Sequence, residues 1–266
     1  MIDISDIDFS ALDLPEILGF LFHPRPEFGA SSSKGDWQDL LIPVETDVVV
    51  GARFHLAVNS TPTILFFHGN GEIVADYNDL GTIYKQMEVN FLPVDYRGYG
   101  RSTGRPTITA MMRDCHVIFD FVKKQLKENG CSGPLIVMGR SLGSASALEI
   151  AFHYKSEIDA LIIESGFAYL APLFRLLGVD LAALGIKEVK DFQNADKIRT
   201  FDKPTLVIHA EKDHIIPFSD GQALYEACGA KDKSFLEIPG ANHNDIFLRG
   251  MSEYMAAVKD LALKLA

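Results

Sequence analysis

The chemistry of this chain gathers at Ser141. Gly139-Arg140-Ser141-Leu142-Gly143 reads G-x-S-x-G, and its flanks fit the motif. The apolar run Leu135–Met138 leads into it, and the small residues Ser144, Ala145 and Ala147 follow. That pattern is a strand, a sharp turn and a helix, with a serine at the apex. Such a turn presses together the residues two before and two after the serine, so Gly139 and Gly143 carry no Cβ to clash. The spacing predicts Ser141 as a nucleophile. A second match, Gly100-Arg101-Ser102-Thr103-Gly104, lacks these flanks. Its strand ends near Asp95, and Pro106 separates Ser102 from the next helix. Ser102 therefore reads as a loop serine.

A serine hydroxyl is a poor nucleophile near neutral pH. It needs a base, and the base needs an acid that fixes its tautomer. After such an elbow the acid comes next in the chain and the histidine last. His243 stands in Gly240-Ala241-Asn242-His243-Asn244, after the last expected strand and before the last helix. A loop there reaches the C-terminal edge of a sheet, so His243 is the expected base. His55, His68 and His116 lie upstream, His153 on the elbow helix and His209 inside a strand, while His214 is too near the acid. That acid is Asp213, just past the strand Thr205–Ala210. Glu211 is its rival, closer to the strand register, and Asp245 is too near His243 in sequence. The oxyanion of an acyl-transfer step needs two donors. The expected ones are the main-chain N–H groups of Leu142, at the start of the elbow helix, and Asn70, in His68-Gly69-Asn70-Gly71. The rival reading of that loop is a plain glycine turn.

Positioning these groups requires alternating strands and helices. Apolar runs at Thr63–Phe67, Phe91–Asp95, Leu135–Met138, Ile158–Glu164, Thr205–Ala210 and Ser234–Ile238 read as buried strands. Helical patterns fall at Tyr77–Met87, Thr107–Asn129 and Asp245–Leu265. Val44–Val58 reads as an opening hairpin with Gly51 between its runs. The fold class is therefore α/β, a mostly parallel sheet with helices on both faces. We expect an N-terminal extension over 1–43, packed on the body, and one domain over 44–266. The apolar segment 165–203 holds no convincing strand. It is expected to be a small helical lid over the C-terminal ends of the strands, the rival being a longer core helix. Ser31–Gly35 reads as a surface loop.

Composition narrows the partners. The 266 residues carry a formal net charge of -11, which argues against nucleic acid or an anionic membrane. Phe9–Phe22 is too short and too charged for a signal peptide or a spanning helix, so a cytoplasmic protein without peripheral membrane contact is expected. The cysteines Cys115, Cys131 and Cys228 are scattered, as reduced packing residues are. No cofactor is expected: Val74 replaces the third glycine of a dinucleotide fingerprint begun at Gly69, and no phosphate-loop lysine follows. No metal is expected, because His and Cys do not cluster at metal spacings. Oligomeric state is left open.

Taken in order, these motifs resemble the α/β-hydrolase superfamily, in its small-lid abhydrolase-domain branch. Asp95-Tyr96-Arg97-Gly98-Tyr99-Gly100-Arg101-Ser102 and Asp213–Pro217 add to the likeness, which runs from about Val44 to the C-terminus. The resemblance implies an eight-stranded sheet with one antiparallel strand, a Ser141–Asp213–His243 triad, and Asn70 and Leu142 as oxyanion donors. It looks nearest to relatives that include depalmitoylating thioesterases and esterases. Ala210 departs from it, where relatives often have glycine. Together with the apolar lid segment, this points to a serine hydrolase acting on an ester or thioester with an apolar acyl group, on a small-molecule or acylated substrate. The competing readings are a peptidase or amidase on the same residues and a non-catalytic binding protein. For Arg140 and Glu164 an ion pair is expected. A role for Arg140 in attracting acidic substrates is the alternative.

Overall fold

The computed structural model describes residues 2–28, 36–176, 178–186 and 192–265. Eight strands form one sheet: β1 (Gln38–Glu45), β2 (Val48–Phe54), β3 (Thr63–Phe67), β4 (Asn90–Val94), β5 (Leu135–Arg140), β6 (Ala160–Glu164), β7 (Thr205–Ala210) and β8 (Lys233–Ile238). Their order across the sheet is β1-β2-β4-β3-β5-β6-β7-β8. β2 runs antiparallel to both neighbours, and every pairing from β4 to β8 is parallel. The chain moves from β3 to β4 on one side and then crosses to β5 on the other. The loops after β3 and β5 therefore part at a topological switch point, where open α/β sheets bind ligands.

The helices are α1 (Pro15–Leu21), α2 (Asn78–Gln86), α3 (Ile108–Glu128), α4 (Gly143–His153), α5 (Leu170–Leu176), α6 (Asn194–Arg199), α7 (Phe218–Ala227) and α8 (Ile246–Leu265). Alternate side chains of each central strand enter opposite cores, as the pleat requires. Leu65, Phe67 and Val137 meet α3, α4, α6 and α7, whereas Ile64, Phe66 and Ile136 meet α2 and α8. α3 follows its apolar stripe, and the hydroxyl of Thr107 caps it by accepting from the Ala110 N–H at 3.0 Å.

A third apolar cluster sits at the C-terminal end of the strands. It joins Phe9, Ile17, Leu21 and Phe22 from the N-terminal segment to Tyr96, Leu142, Phe167 and Phe174. No helix among the described residues is long and apolar enough to cross a membrane. All three cysteines are free.

Three expectations shift. The hairpin begins at Gln38, so a division at 43/44 would cut β1. Its turn is at Thr46-Asp47, with Asp47 at φ 61°, while Gly51 lies inside β2 opposite Leu41. A Cβ on Gly51 would sit 3.1 Å from Asp95 Oδ2, a tight contact that requires the Asp95 side chain to shift. The segment 165–203 divides in two. α5 borders the switch point, but α6 packs against α4 and α7, burying its Ala195 and Ile198, with Phe201 just beyond it, in the main core. Only the first part is placed as a lid would be, and 187–191 lie outside the described residues. The loop expected at Ser31–Gly35 also lies outside them.

Candidate active site

β5 delivers Ser141 to the apex of the turn with φ 51°, a left-handed conformation that strains a residue bearing a Cβ. The main-chain N–H of Ser141 donates to Glu164 O of the neighbouring strand at 2.9 Å, which holds the turn. Its flanking glycines are required by contact. A Cβ on Gly139 would lie 2.3 Å from Gly143 O, and one on Gly143 would lie 2.1 Å from Phe67 O.

His243 arrives from the loop between β8 and α8. Its Nε2 is 2.9 Å from Ser141 Oγ, and its Nδ1 is 2.7 Å from Asp213 Oδ2. The other oxygen of Asp213 accepts main-chain N–H bonds from Ile215 at 3.0 Å and Ile216 at 2.8 Å. Burial would raise the Asp213 carboxyl. The His243 hydrogen bond and these N–H groups outweigh it and hold the group below the usual carboxylate range. Ser141 and His243 are both buried. The carboxylate fixes the imidazole with Nδ1–H toward itself and leaves Nε2 able to accept the serine proton.

Asn70 and Leu142 line the same cavity as Ser141. The main-chain N–H of neither donates to another group among the described residues. The Asn70 side chain is engaged elsewhere: Oδ1 accepts from Tyr99 Oη and from the His23 N–H, both at 2.8 Å. Two free donors beside a hydroxyl can stabilise an oxyanion. The remaining wall is apolar, from Phe20, Leu21, Phe167, Leu173, Ile215 and Ile216.

The rejected candidates have structural places. Ser102 Oγ accepts the Gly51 N–H at 2.9 Å. Glu211 accepts the Gly240 N–H at 2.6 Å, and Asp245 accepts the Asn242 N–H at 2.6 Å. His68 is fully buried between Gly69 O and Asp95, and His209 bonds Ile216 O.

Sequence reasoning found Arg140 but not its reach. Its Nε pairs with Glu164 at 2.9 Å, its Nη1 with Glu72 at 2.7 Å, and its Nη2 donates to His243 O at 2.7 Å. Glu72 in turn accepts the Gly69 N–H at 2.7 Å and the Tyr77 hydroxyl at 2.6 Å. One buried guanidinium thus ties the elbow to the His243 loop and the Asn70 loop. Its ion pair with Glu164 agrees with the expectation, and each of its three nitrogens already has a protein partner. Glu72 carried no signal in the sequence, since it lies in a loop and its partner is 68 residues away.

The fold makes one juxtaposition of possible ligand side chains that sequence spacing does not show. α3 and α4 bring His116, Glu149 and His153 together, with candidate ligand atoms within 4.8 Å of one another. The two helices meet only in the fold, so spacing could not reveal this. The Lys197 ammonium pairs with the same Glu149 carboxylate and supplies its counter-charge.

Comparison with known proteins places the chain in a family. The family model described as "Serine aminopeptidase, S33" matches residues 59–193 and 183–248. The alpha/beta hydrolase domain-containing protein 17B of Homo sapiens is 32% identical over 211 residues, covering 76% of this chain and 66% of the relative. Protein bem46 of Schizosaccharomyces pombe is 29% identical over 195 residues, covering 71% of this chain and 64% of the relative. The chain thus spans somewhat less than two thirds of these relatives' lengths. Among solved structures, the esterase Pf2001 of Pyrococcus furiosus superimposes with TM-score 0.72 at 19% identity, covering 91% of this chain and 99% of that one. Est1E of Butyrivibrio proteoclasticus, solved with ferulic acid, gives TM-score 0.70 at 18% identity, covering 85% and 98%. The structural likenesses show the fold. The family match covers well over half the sequence, and the chain belongs to the serine aminopeptidase S33 family of the α/β-hydrolase superfamily.

Proposed function

We propose that the protein is a serine hydrolase that cleaves carboxylic esters or thioesters bearing an apolar acyl group. The observation that carries this reading is the chain Asp213–His243–Ser141, hydrogen-bonded at 2.7 and 2.9 Å at the foot of an apolar cavity. Ser141 Oγ attacks the carbonyl carbon while His243 Nε2 takes its proton. The tetrahedral oxyanion rests on the N–H groups of Asn70 and Leu142. Its collapse expels the alcohol or thiol, which takes the proton from His243, and leaves an acyl-Ser141 ester. Water, deprotonated by His243, attacks that ester and releases the acid.

The peptidase reading ranks second. Binding a peptide's free α-ammonium calls for a carboxylate near the scissile bond, and the cavity lining among the described residues contains none. The names of the esterase neighbours support the ester reading without identifying a substrate.

The test is a kcat/KM panel of p-nitrophenyl esters, acyl thioesters and aminoacyl anilides. Turnover of esters and thioesters with little or none of the anilides is expected. Anilide cleavage that outruns ester cleavage would transfer the assignment to the peptidase reading.

A further inference from the structure

The family match begins at residue 59, yet one side of the candidate site is built by residues before it. α1 carries Phe20 and Leu21 into the lining of the cavity at Ser141, which Phe167 and Leu173 also line. Leu21 is buried and anchors the helix in the apolar cluster at the strand ends, together with Ile17. Phe20 is 47% exposed, a large apolar ring left half in water at the cavity mouth.

The residues after α1 are fastened to the loop that carries Asn70. Asn70 exchanges two hydrogen bonds with His23: the His23 N–H donates to Oδ1 at 2.8 Å, and Nδ2 bonds His23 Nδ1 at 2.7 Å. Arg25 Nε donates to Gly71 O at 2.7 Å, and its guanidinium pairs with Asp76 just beyond. The strap is also stitched to the loop after β4. The Gly100 N–H donates to Arg25 O at 2.9 Å, and the Glu27 N–H donates to Gly100 O at 3.0 Å. These bonds fix where the Asn70 N–H stands relative to Ser141.

We propose that the N-terminal segment is a substrate-binding element of the hydrolase, in which Phe20 sets the length of acyl chain accepted and His23 positions the Asn70 loop. The inference rests on the serine-hydrolase reading and names its specificity determinant. The cavity beside Ser141 measures about 60 Å³. A chain longer than a few carbons must therefore displace a wall. Leu21, Phe167 and Leu173 are buried, whereas Phe20 is about half exposed. The acyl chain runs from Ser141 under α1, and the Phe20 ring is the wall that limits it.

The test uses the full chain and p-nitrophenyl esters from acetyl to dodecanoyl. Each added methylene that finds apolar cover contributes about a fourfold gain in kcat/KM, from roughly 0.8 kcal/mol per methylene. In Phe20→Ala the preferred chain length moves up by two or more carbons, and kcat/KM for the longest esters rises about tenfold. In Phe20→Trp it moves down. In His23→Ala, kcat falls about tenfold at every chain length, with KM and the length profile little changed, as expected of a positioning residue. Length profiles of both Phe20 variants that superimpose on wild type, with acetyl-ester turnover and fluorophosphonate labelling intact, would overturn the proposal. Absence of labelling and of turnover in the wild type would instead remove the serine-hydrolase reading beneath it. A melting curve on each variant separates these outcomes from misfolding.

Discussion

The guanidinium of Arg140 donates to the main-chain carbonyl of His243 at 2.7 Å, so the residue next to the proposed nucleophile holds the loop that carries the proposed base. The same side chain is ion-paired to Glu164 and Glu72, and Glu72 holds the Gly69 N–H. Burial would raise the Glu72 carboxyl, but Arg140, the Tyr77 hydroxyl, His68 and the Gly69 N–H together outweigh it and keep that group low, which maintains the pair. Arg140→Met leaves Glu164 buried with the Tyr254 hydroxyl as its remaining partner. We expect a stability loss of about 3–5 kcal/mol. We also expect a kcat reduced roughly a hundredfold by misplacement of His243. Denaturant melts and steady-state kinetics read both. Acidic and neutral esters should lose rate equally; a selective loss on acidic esters would restore the substrate-attracting role.

Asp213 acts only through His243, so Asp213→Asn should keep the fold and lose the tautomer. The expected effect is a fall in kcat of roughly a thousandfold or more with KM little changed, a pattern known for the equivalent change in serine proteases. A fall of less than tenfold would argue that Glu211 or another carboxylate orients the ring.

Two glycines should differ sharply from a third. Gly139→Ala forces a Cβ to 2.3 Å from Gly143 O, backbone that cannot move without opening the elbow. A loss of roughly 3 kcal/mol or more is expected, lowering the melting midpoint by about 6 °C or more. Gly143→Ala should behave likewise against Phe67 O. Gly19, inside α1, meets nothing within 4 Å, so Gly19→Ala should be neutral or stabilising by up to about 1 kcal/mol. Calorimetry on the three variants checks the contrast.

Stability should fall in mild acid because of His55. Its ring is buried against Trp37, Phe91 and Gly81. Burial, then the charges of Arg53 and Lys85, push its pKa down to about 4 against the pull of Asp39 and Asp36. Below the ordinary histidine pKa of about 6.5 the unfolded chain takes up a proton that the native protein refuses until about pH 4. Protons therefore favour unfolding across that window, and stability drops by roughly 3 kcal/mol from pH 7 to pH 4 through this group. Urea midpoints measured across that range should flatten in His55→Leu. An unchanged slope would assign the acid sensitivity to other groups.

The parts of the site that were legible share one property: each is set by local chain chemistry. Gly139 and Gly143 announce a turn, and the runs before Asp213 and His243 announce strands whose ends must lie on one edge. The parts that were not legible depend on contacts between distant segments. Glu72 meets Arg140 only after the Asn70 loop folds back on the elbow. Phe20 reaches the cavity, and His23 the Asn70 side chain, only because α1 docks across the strand ends. The hairpin turn was misplaced because Gly51 resembles a turn glycine. It is in fact a strand glycine crowded by Asp95, and the turn falls to Asp47, which tolerates the left-handed backbone. α6 is hard to tell from a lid for the same reason: its apolar residues look alike whether they cover a cavity or a core.

The reactivity proposed for Ser141 Oγ comes from its neighbours, the imidazole of His243 above all. Intact-protein and peptide mass spectrometry after treatment with a fluorophosphonate measures this directly. One adduct per chain, located on Ser141, absent in Ser141→Ala and strongly slowed in His243→Ala, is the result expected. A wild-type protein that stays unlabelled, or a Ser141→Ala variant labelled as fast as the wild type, would contradict the account.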